Sequence, residues 1–227
     1  MCAAIGHDLR TPLTRLLLRA DQVSNPQTRE GMLRDINGID AMLRELLTYL
    51  REGEQFSATG PVDLAMLLQT LCNEFGDVGH SVRYSGPPEH VFYCRASELT
   101  RAITNIIDNG VKHGDAVNVV LRAPIQGGVE IEISDNGPGI PFELRERVFE
   151  PFFKVESSRT ITGRSGFGLG LAIARDIIRR HGGQIRLLDG RSRGLTVLVS
   201  LREETVPPEA RSPEHRNIRL PPEVARN

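Results

Sequence analysis

His7 and Asp8 stand side by side near the start of a 227-residue chain, inside the run His7-Asp8-Leu9-Arg10-Thr11-Pro12-Leu13. Asp8 can accept a hydrogen bond from one imidazole nitrogen and so fix the tautomer, which leaves the other nitrogen a free lone pair for attack on phosphorus. His7 is two residues from both Ile5 and Leu9 and so points away from their apolar stripe; Thr11 lies one helical turn on, beside it. A second group follows far along the chain. Asn105, Asn109 and Lys112 fall on one polar face of a helical segment, where amide oxygens suit Mg2+ and an ammonium neutralises phosphate. Asp135 opens Asp135-Asn136-Gly137-Pro138-Gly139-Ile140 at the end of an alternating segment. A carboxylate there can accept from the exocyclic amine of adenine, and the glycines let backbone approach the base. Gly166-Phe167-Gly168-Leu169-Gly170-Leu171 precedes the last long helix, whose exposed N–H groups would attract an anion. Taken singly, each has an ordinary explanation: a surface histidine, a solvated helix face, an Asn-Gly turn, a glycine-rich loop. The spacing is not the Rossmann one, and no Gly-Lys-Ser/Thr P-loop is present. Taken in order, they place a nucleophile at one end and a nucleotide pocket at the other.

The elements that must position these groups differ along the chain. Residues 1–52 read as a helical hairpin: Ile5, Leu9, Leu13, Leu16, Ala20 and Val23 recur at steps of three and four, Ser24-Asn25-Pro26 breaks the pattern, and it resumes with Leu33, Ile36, Ile39 or Asp40, Leu43, Leu46 or Leu47, and Leu50. Pro12 inside the first helix removes one N–H and predicts a bend just after His7. Two wide apolar stripes cannot both be buried in a two-helix hairpin, so a dimer forming a four-helix bundle is expected. Residues 53–60 read as a linker. Beyond it, Asp63 can cap a helix through Phe75, with extended pieces near His80–Tyr84 and His90–Cys94. A helix runs from Ser97 to about His113, with Leu99, Ile103, Ile106 and Gly110 on its core face. Val117–Arg122 and Val129–Ser134 read as strands around Gly127-Gly128. A helix near Ala172–His181 stops at Gly182-Gly183, and Ile185–Leu188 with Leu195–Leu201 forms a hairpin. This is an α+β pattern, a sheet with helices on one face. In Phe149-Glu150-Pro151-Phe152-Phe153-Lys154, Phe152 is expected to anchor the core. The polar stretch Val155–Ser165, with Arg159, Thr160, Thr162 and Arg164, has the composition of a mobile lid. Residues 203–227, rich in proline and mixed charge, read as a flexible tail.

The bulk composition excludes several classes. Hydrophobic content of 39%, charge content of 25% and a net charge of −1 describe a globular chain with no global field for nucleic acid or an anionic membrane. No apolar run approaches the ~20 residues of a membrane span, and no signal-peptide pattern opens the chain. The three cysteines, Cys2, Cys72 and Cys94, are widely spaced and fit neither a disulfide framework nor a metal knuckle, so a reducing cytoplasmic setting is expected.

The motifs in their order resemble the sensor histidine kinase family of bacterial two-component systems. His7–Leu13 is similar to the family's H-box, Asn105–Lys112 to its N-box, Asp135–Gly139 to the G1 box, Phe149–Phe153 to the F-box and Gly166–Leu171 to the G2 box. The surroundings of His7 and the run Arg159-Thr160-Ile161-Thr162-Gly163 are especially similar to EnvZ-type osmosensor kinases. The resemblance covers residues 1 to about 202. It implies a dimerisation and histidine-phosphotransfer domain at 1–56, a catalytic ATP-binding domain of the Bergerat (GHKL) α/β sandwich type at 57–202, and the tail at 203–227. Asn109 would ligate Mg2+, with Asn105 and Lys112 near the phosphates of ATP and Asp135 reading adenine. His113, Gly137, Gly139, Ile140, Phe153, Gly166, Phe167, Gly168, Leu169, Gly170 and Leu171 would complete the nucleotide site. Asp8 matches the acid that activates the histidine, and Thr11 the position that orients water during dephosphorylation of the partner. The implied activity is ATP-dependent autophosphorylation of His7 in a homodimer, then phosphotransfer to an aspartate of a response-regulator receiver domain, with phosphatase activity toward it.

The chain departs from the family pattern in places. Gly110 stands where alanine is usual, and tolerance of that exchange is expected, with some softening of the helix. His113 replaces a frequent tyrosine. Met1 stands only six residues before His7, and the sensor, membrane and HAMP-like segments are missing, so the chain is expected to be the cytoplasmic portion of an inner-membrane sensor, touching membrane only through segments absent here. Three alternatives stand beside this reading: a phosphatase-dominant member of the same family, a non-catalytic GHKL-fold dimeric scaffold, and a GHKL ATPase of the chaperone, gyrase or mismatch-repair type.

Overall fold

Asn25 and Pro26 set the first boundary in the molecule. The computed structural model describes residues 2–52, 58–123, 128–155, 167–190 and 193–202; in the first two helices the side chains described are those of 11–40 and 43. Helix α1 (Cys2–Asp21) runs through Pro12, and α2 (Pro26–Glu52) begins at the second proline. The Asn25 Oδ1 accepts from the Thr28 N–H at 3.0 Å, a side-chain cap with proline in the first helical position. Leu13, Ala20 and Ile36 form the buried seam between α1 and α2, flanked by Leu17, Met32, Leu33 and Leu43. One hairpin covers the stripe only in part: Leu17 packs on the seam, while Leu16 is 41% and Ile39 46% exposed. A helix facing a single neighbour buries only the narrow i, i+4, i+7 line, here residues 13, 17 and 20, and the flanks of the stripe remain uncovered.

The remaining described elements are β1 (Gly60–Asp63), α3 (Leu64–Asp77), β2 (Ser81–Ser85), β3 (Val91–Cys94), α4 (Ala96–His113), β4 (Ala116–Arg122), β5 (Gly128–Asp135), two short 3-10 turns (Phe142–Leu144 and Arg147–Phe149), α5 (Gly170–Arg180), β6 (Gln184–Asp189) and β7 (Leu195–Arg202). Gly60 therefore belongs to a strand rather than to the expected linker; residues 53–57 of that linker lie outside the described residues. Asp63 carries the junction. Its Oδ1 accepts from the N–H groups of Ala65 at 3.0 Å and Met66 at 3.2 Å, which caps α3, and from His90 at 3.1 Å, which closes the antiparallel β1–β3 ribbon. These bonds hold its carboxyl below the ordinary 3.8, the His90 N–H contributing most.

The main sheet has the order β2-β4-β5-β7-β6, with β2 and β4 parallel and every other pair antiparallel. Alternation explains its buried face: Val117, Val119 and Leu121 of β4, Val129, Ile131 and Ile133 of β5, and Val197, Val199 and Leu201 of β7 are buried. Against them lie Leu99, Ala102, Ile103, Ile106 and Ile107 of α4 and Ile173, Ala174, Ile177 and Ile178 of α5. Burying each such side chain contributes roughly 1.5–3 kcal/mol, so this core, not the thin seam of the hairpin, carries the stability of the described chain. Helix α5 stops where expected: the Gly182 N–H donates to the Arg179 carbonyl and the Gly183 N–H to that of Ile178, both at 2.9 Å, a Schellman closure. The next residue type back matters too. Buried His181 accepts the Arg95 N–H on Nε2 at 3.2 Å, while Glu98 pairs with Arg95 at 3.0 Å and Arg180 at 3.4 Å, tying the end of α5 to the start of α4.

Candidate nucleotide site

Helices α4 and α5 bring the polar face of Asn105 and the end of the glycine-rich run, Gly170, together. Leu99, Ile103 and Ile106 commit one face of α4 to the core, which leaves Asn105, Asn109 and Lys112 half-buried on another. The Asn105 Nδ2 is buried and has no hydrogen-bond partner among the described residues. Gly170, the first residue of α5, adjoins it: a Cβ on Gly170 would lie 3.7 Å from the Asn105 Cβ. The first N–H groups of a helix have no partner inside it, so the start of α5 and the Asn105 amide offer unspent donors at one place. Such a cradle suits phosphate. The Lys112 Nζ is paired with the Asp108 carboxylate at 2.5 Å one turn back.

Asp135 sits at the end of β5, half-buried. Its Oδ1 accepts the Gly137 N–H at 2.8 Å and the Leu195 N–H at 3.2 Å. Burial raises its pKa, opposed by those two N–H groups and by His113. Desolvated carboxylates of this kind concentrate at functional sites. His113 answers it: crowding by the surrounding protein lowers the imidazole's pKa while Asp135 pulls the other way, so the neutral ring is favoured near pH 7. Three further residues, none evident from local pattern, fix the end of β5 around Asp135. Asn136 Oδ1 accepts from Asp115 N at 2.8 Å and Ala116 N at 3.1 Å and fastens the end of β5 to the α4–β4 turn. Gly194 has φ +96, and a Cβ on it would run into the Asp135 carbonyl oxygen, so the turn before β7 fits only a glycine there. Leu195 reaches Asp135 across 60 positions, a separation that no local pattern reveals.

With the cradle and the desolvated carboxylate in place, comparison with known proteins decides the family. Residues 94–205 match the family described as histidine kinase-, DNA gyrase B-, and HSP90-like ATPases. This segment belongs to that family. The sensor histidine kinase GtrS of Pseudomonas aeruginosa is 32% identical over 88% of this chain and 41% of that protein. The signal transduction histidine-protein kinase/phosphatase MprB of Mycolicibacterium paratuberculosis is 30% identical over 91% of this chain and 43% of its own. A crystal structure of full-length ShkA in complex with AMPPNP shares the fold with a TM-score of 0.67 at 22% identity, covering 89% of this chain and 46% of that one. The chain thus spans less than half the length of these proteins. It is a relative of the sensor histidine kinases, and the α+β pattern read from the sequence is the GHKL sandwich.

Within this ATPase segment, the phenylalanine run is where the expectation of a core anchor needs correction. Phe149 fills the core, 3% exposed, whereas Phe152 is 49% exposed with φ +66. Its N–H donates to the Gly168 carbonyl at 3.0 Å, and Gly168, at φ +77, has the Phe153 carbonyl 2.7 Å from where a Cβ would stand. A Cβ at position 168 would not fit between the two backbones. Phe153 is half-buried beneath the Arg147 guanidinium, 4.3 Å from its ring centre. Leu169 and Leu171 are core residues, so what they offer a ligand is their backbone; Phe167 is half-buried, and Ile140 packs on the core edge. Gly139 takes φ +78 beside the Gly194 carbonyl. Gly166 and the expected lid from 156 to 165 lie outside the described residues, as do the side chains of His7 and Asp8. Thr11 is exposed on α1. The structure therefore joins Asn105 to the α5 N-terminus and Asp135 to Gly137, Gly139 and His113, while His7, Asp8 and Thr11 belong to the hairpin.

Proposed function

We propose that the chain is the kinase core of a two-component sensor: a homodimer whose segment 57–202 binds Mg·ATP, and whose segment 1–56 carries the accepting histidine, His7. The observation that carries this reading is the buried, partnerless Asn105 amide at the start of α5. An orphaned buried donor costs roughly 1–3 kcal/mol, and an incoming phosphate oxygen would repay it. Asn109, one turn on, would hold Mg2+ through its amide oxygen, consistent with the hard-oxygen preference of that ion. When bound, the ion would neutralise charge on the phosphates. Asp135 would take the adenine amine, its alignment set by Gly137 and Leu195.

Asp8 would hold one His7 nitrogen so that the other faces phosphorus. The N–P bond forms as the bond from the γ-phosphorus to the bridging oxygen breaks, and ADP leaves. Transfer to a receiver-domain aspartate of a response regulator follows. Positioning and charge neutralisation do most of the work in such a reaction. Leu16 and Ile39, exposed in a lone hairpin, support a four-helix bundle that would cover them. The likeness to MprB, a kinase/phosphatase, favours a second activity in which Thr11 orients water against the partner's phosphoaspartate. Thr11→Ala is then expected to lower partner dephosphorylation and spare autophosphorylation; equal loss of both would speak against a separate role.

The test of the main reading is incubation of the full chain with γ-labelled ATP and Mg2+. Acid-labile, alkali-stable label that disappears with a chelator is expected. A chain that binds Mg·AMPPNP yet never takes label would be a nucleotide-binding scaffold instead.

A further inference from the structure

We infer that Arg145 is a positioning residue for the nucleotide, a staple that holds together the two loops enclosing Asp135. The inference rests on the nucleotide-binding reading above. Arg145 follows the first 3-10 turn and is mostly buried at 15% exposure. Its Nε donates to the Ile140 carbonyl at 3.2 Å, at the end of the Asp135–Ile140 loop. Its Nη2 pairs with Asp189, the last residue of β6, and its guanidinium lies 5.7 Å from the Phe142 ring centre.

The two loops so joined also meet on their inner side. Gly190 N donates to Gly194 O at 3.0 Å and closes the β6–β7 turn. Leu195 N, just after that turn, donates to Asp135, and the Gly194 carbonyl lies 3.0 Å from where a Gly139 Cβ would stand. One guanidinium thus spans the outside of a clasp whose inside is the adenine-reading carboxylate. The chemistry requires arginine: a planar fork donates in two fixed directions at once, whereas lysine offers one compact charge. A pair whose carboxylate is 85% exposed adds little to global stability. Its effect is preorganisation: with the staple gone the loops part, and binding must close them again.

The test uses the full chain and Mg·AMPPNP titration of the parent, Arg145→Gln, Arg145→Lys, Asp189→Asn and the Arg145→Gln/Asp189→Asn double variant. Losing both contacts of Arg145 is expected to weaken affinity about fivefold and Asp189→Asn about twofold, with the double variant no worse than Arg145→Gln. Arg145→Lys, which keeps the ion pair and loses the carbonyl bond, falls between. KM for ATP follows the affinity, while kcat at saturating ATP and the melting temperature hold. Asp189 is too exposed for its variant to misfold, so that arm reads cleanly. Arg145→Gln binding as tightly as the parent, additive losses in the double variant, or loss matched by a lower melting temperature would each overturn the inference. A parent chain that does not bind AMPPNP would overturn the nucleotide reading itself, a distinguishable result.

Discussion

Asp135 shows how one residue can be costly to the fold and useful to the site. Burial raises its pKa above the ordinary 3.8, so the native state holds this proton to higher pH than the unfolded chain does. The stability it contributes is full below 3.8 and is lost as pH rises through the raised value. Asp135→Asn removes the buried charge while its amide oxygen can still accept from Gly137 and Leu195. The ligand-free protein is expected to melt no lower than the parent near pH 7, with a flatter pH profile above 4, and to lose Mg·AMPPNP binding by more than about tenfold; melting curves and titration check this. Gly110 sits in a tight place. An added Cβ there would lie 2.9 Å from Val117 Cγ2 and 3.7 Å from the Asp135 Cβ. Valine is stiff at χ1, and overpacking costs about 1–3 kcal/mol against the ~0.5–1 kcal/mol that alanine gains in a helix. Gly110→Ala is expected to lower denaturant stability by about 1 kcal/mol, and Gly110→Ala/Val117→Ala to cost less than its two parts summed. The chemistry-bearing types, Asn105, Asn109 and Asp135, were legible because they recur at helix spacing or end an alternating strand. Phe152, Asn136 and Leu195 were not, because their roles depend on where a distant backbone passes.

Among the elements, periodicity located α3, α4, α5 and the β4–β5 and β6–β7 hairpins, since each has a wide buried face against one core. Strand β1 was missed because Gly60 and Pro61 read as linker, and only its pairing with β3 makes it a strand. In the hairpin one partner helix covers only part of the stripe, so Leu16 and Ile39 stay exposed, as two wide stripes in a two-helix hairpin predict. Asp63 joins three local decisions, and its lowered pKa gives the sign of its pH dependence: its contribution is present above 3.8 and lost as pH falls through the lowered value. Asp63→Ala is expected to destabilise the protein at pH 7 and to flatten the acid limb of its stability curve, read by urea unfolding between pH 3 and 7.

For the whole molecule, a well-filled sandwich and a thin hairpin divide the labour. The sandwich has the core to hold a nucleotide site in register, while the hairpin leaves apolar side chains that a second copy would cover. Ile39→Lys is expected to shift the chain from dimer to monomer in light scattering while Mg·AMPPNP binding is retained, since none of the described residues of the nucleotide site lies on α2. Delivery of phosphate from the pocket around Asn105, Asn109 and Asp135 to His7 is tested by γ-label transfer in His7→Gln and Asn109→Ala beside the parent, with AMPPNP affinity measured on each. No label is expected on His7→Gln with affinity intact, and none on Asn109→Ala with Mg-dependent affinity reduced. Label retained on His7→Gln would show that His7 is not the acceptor.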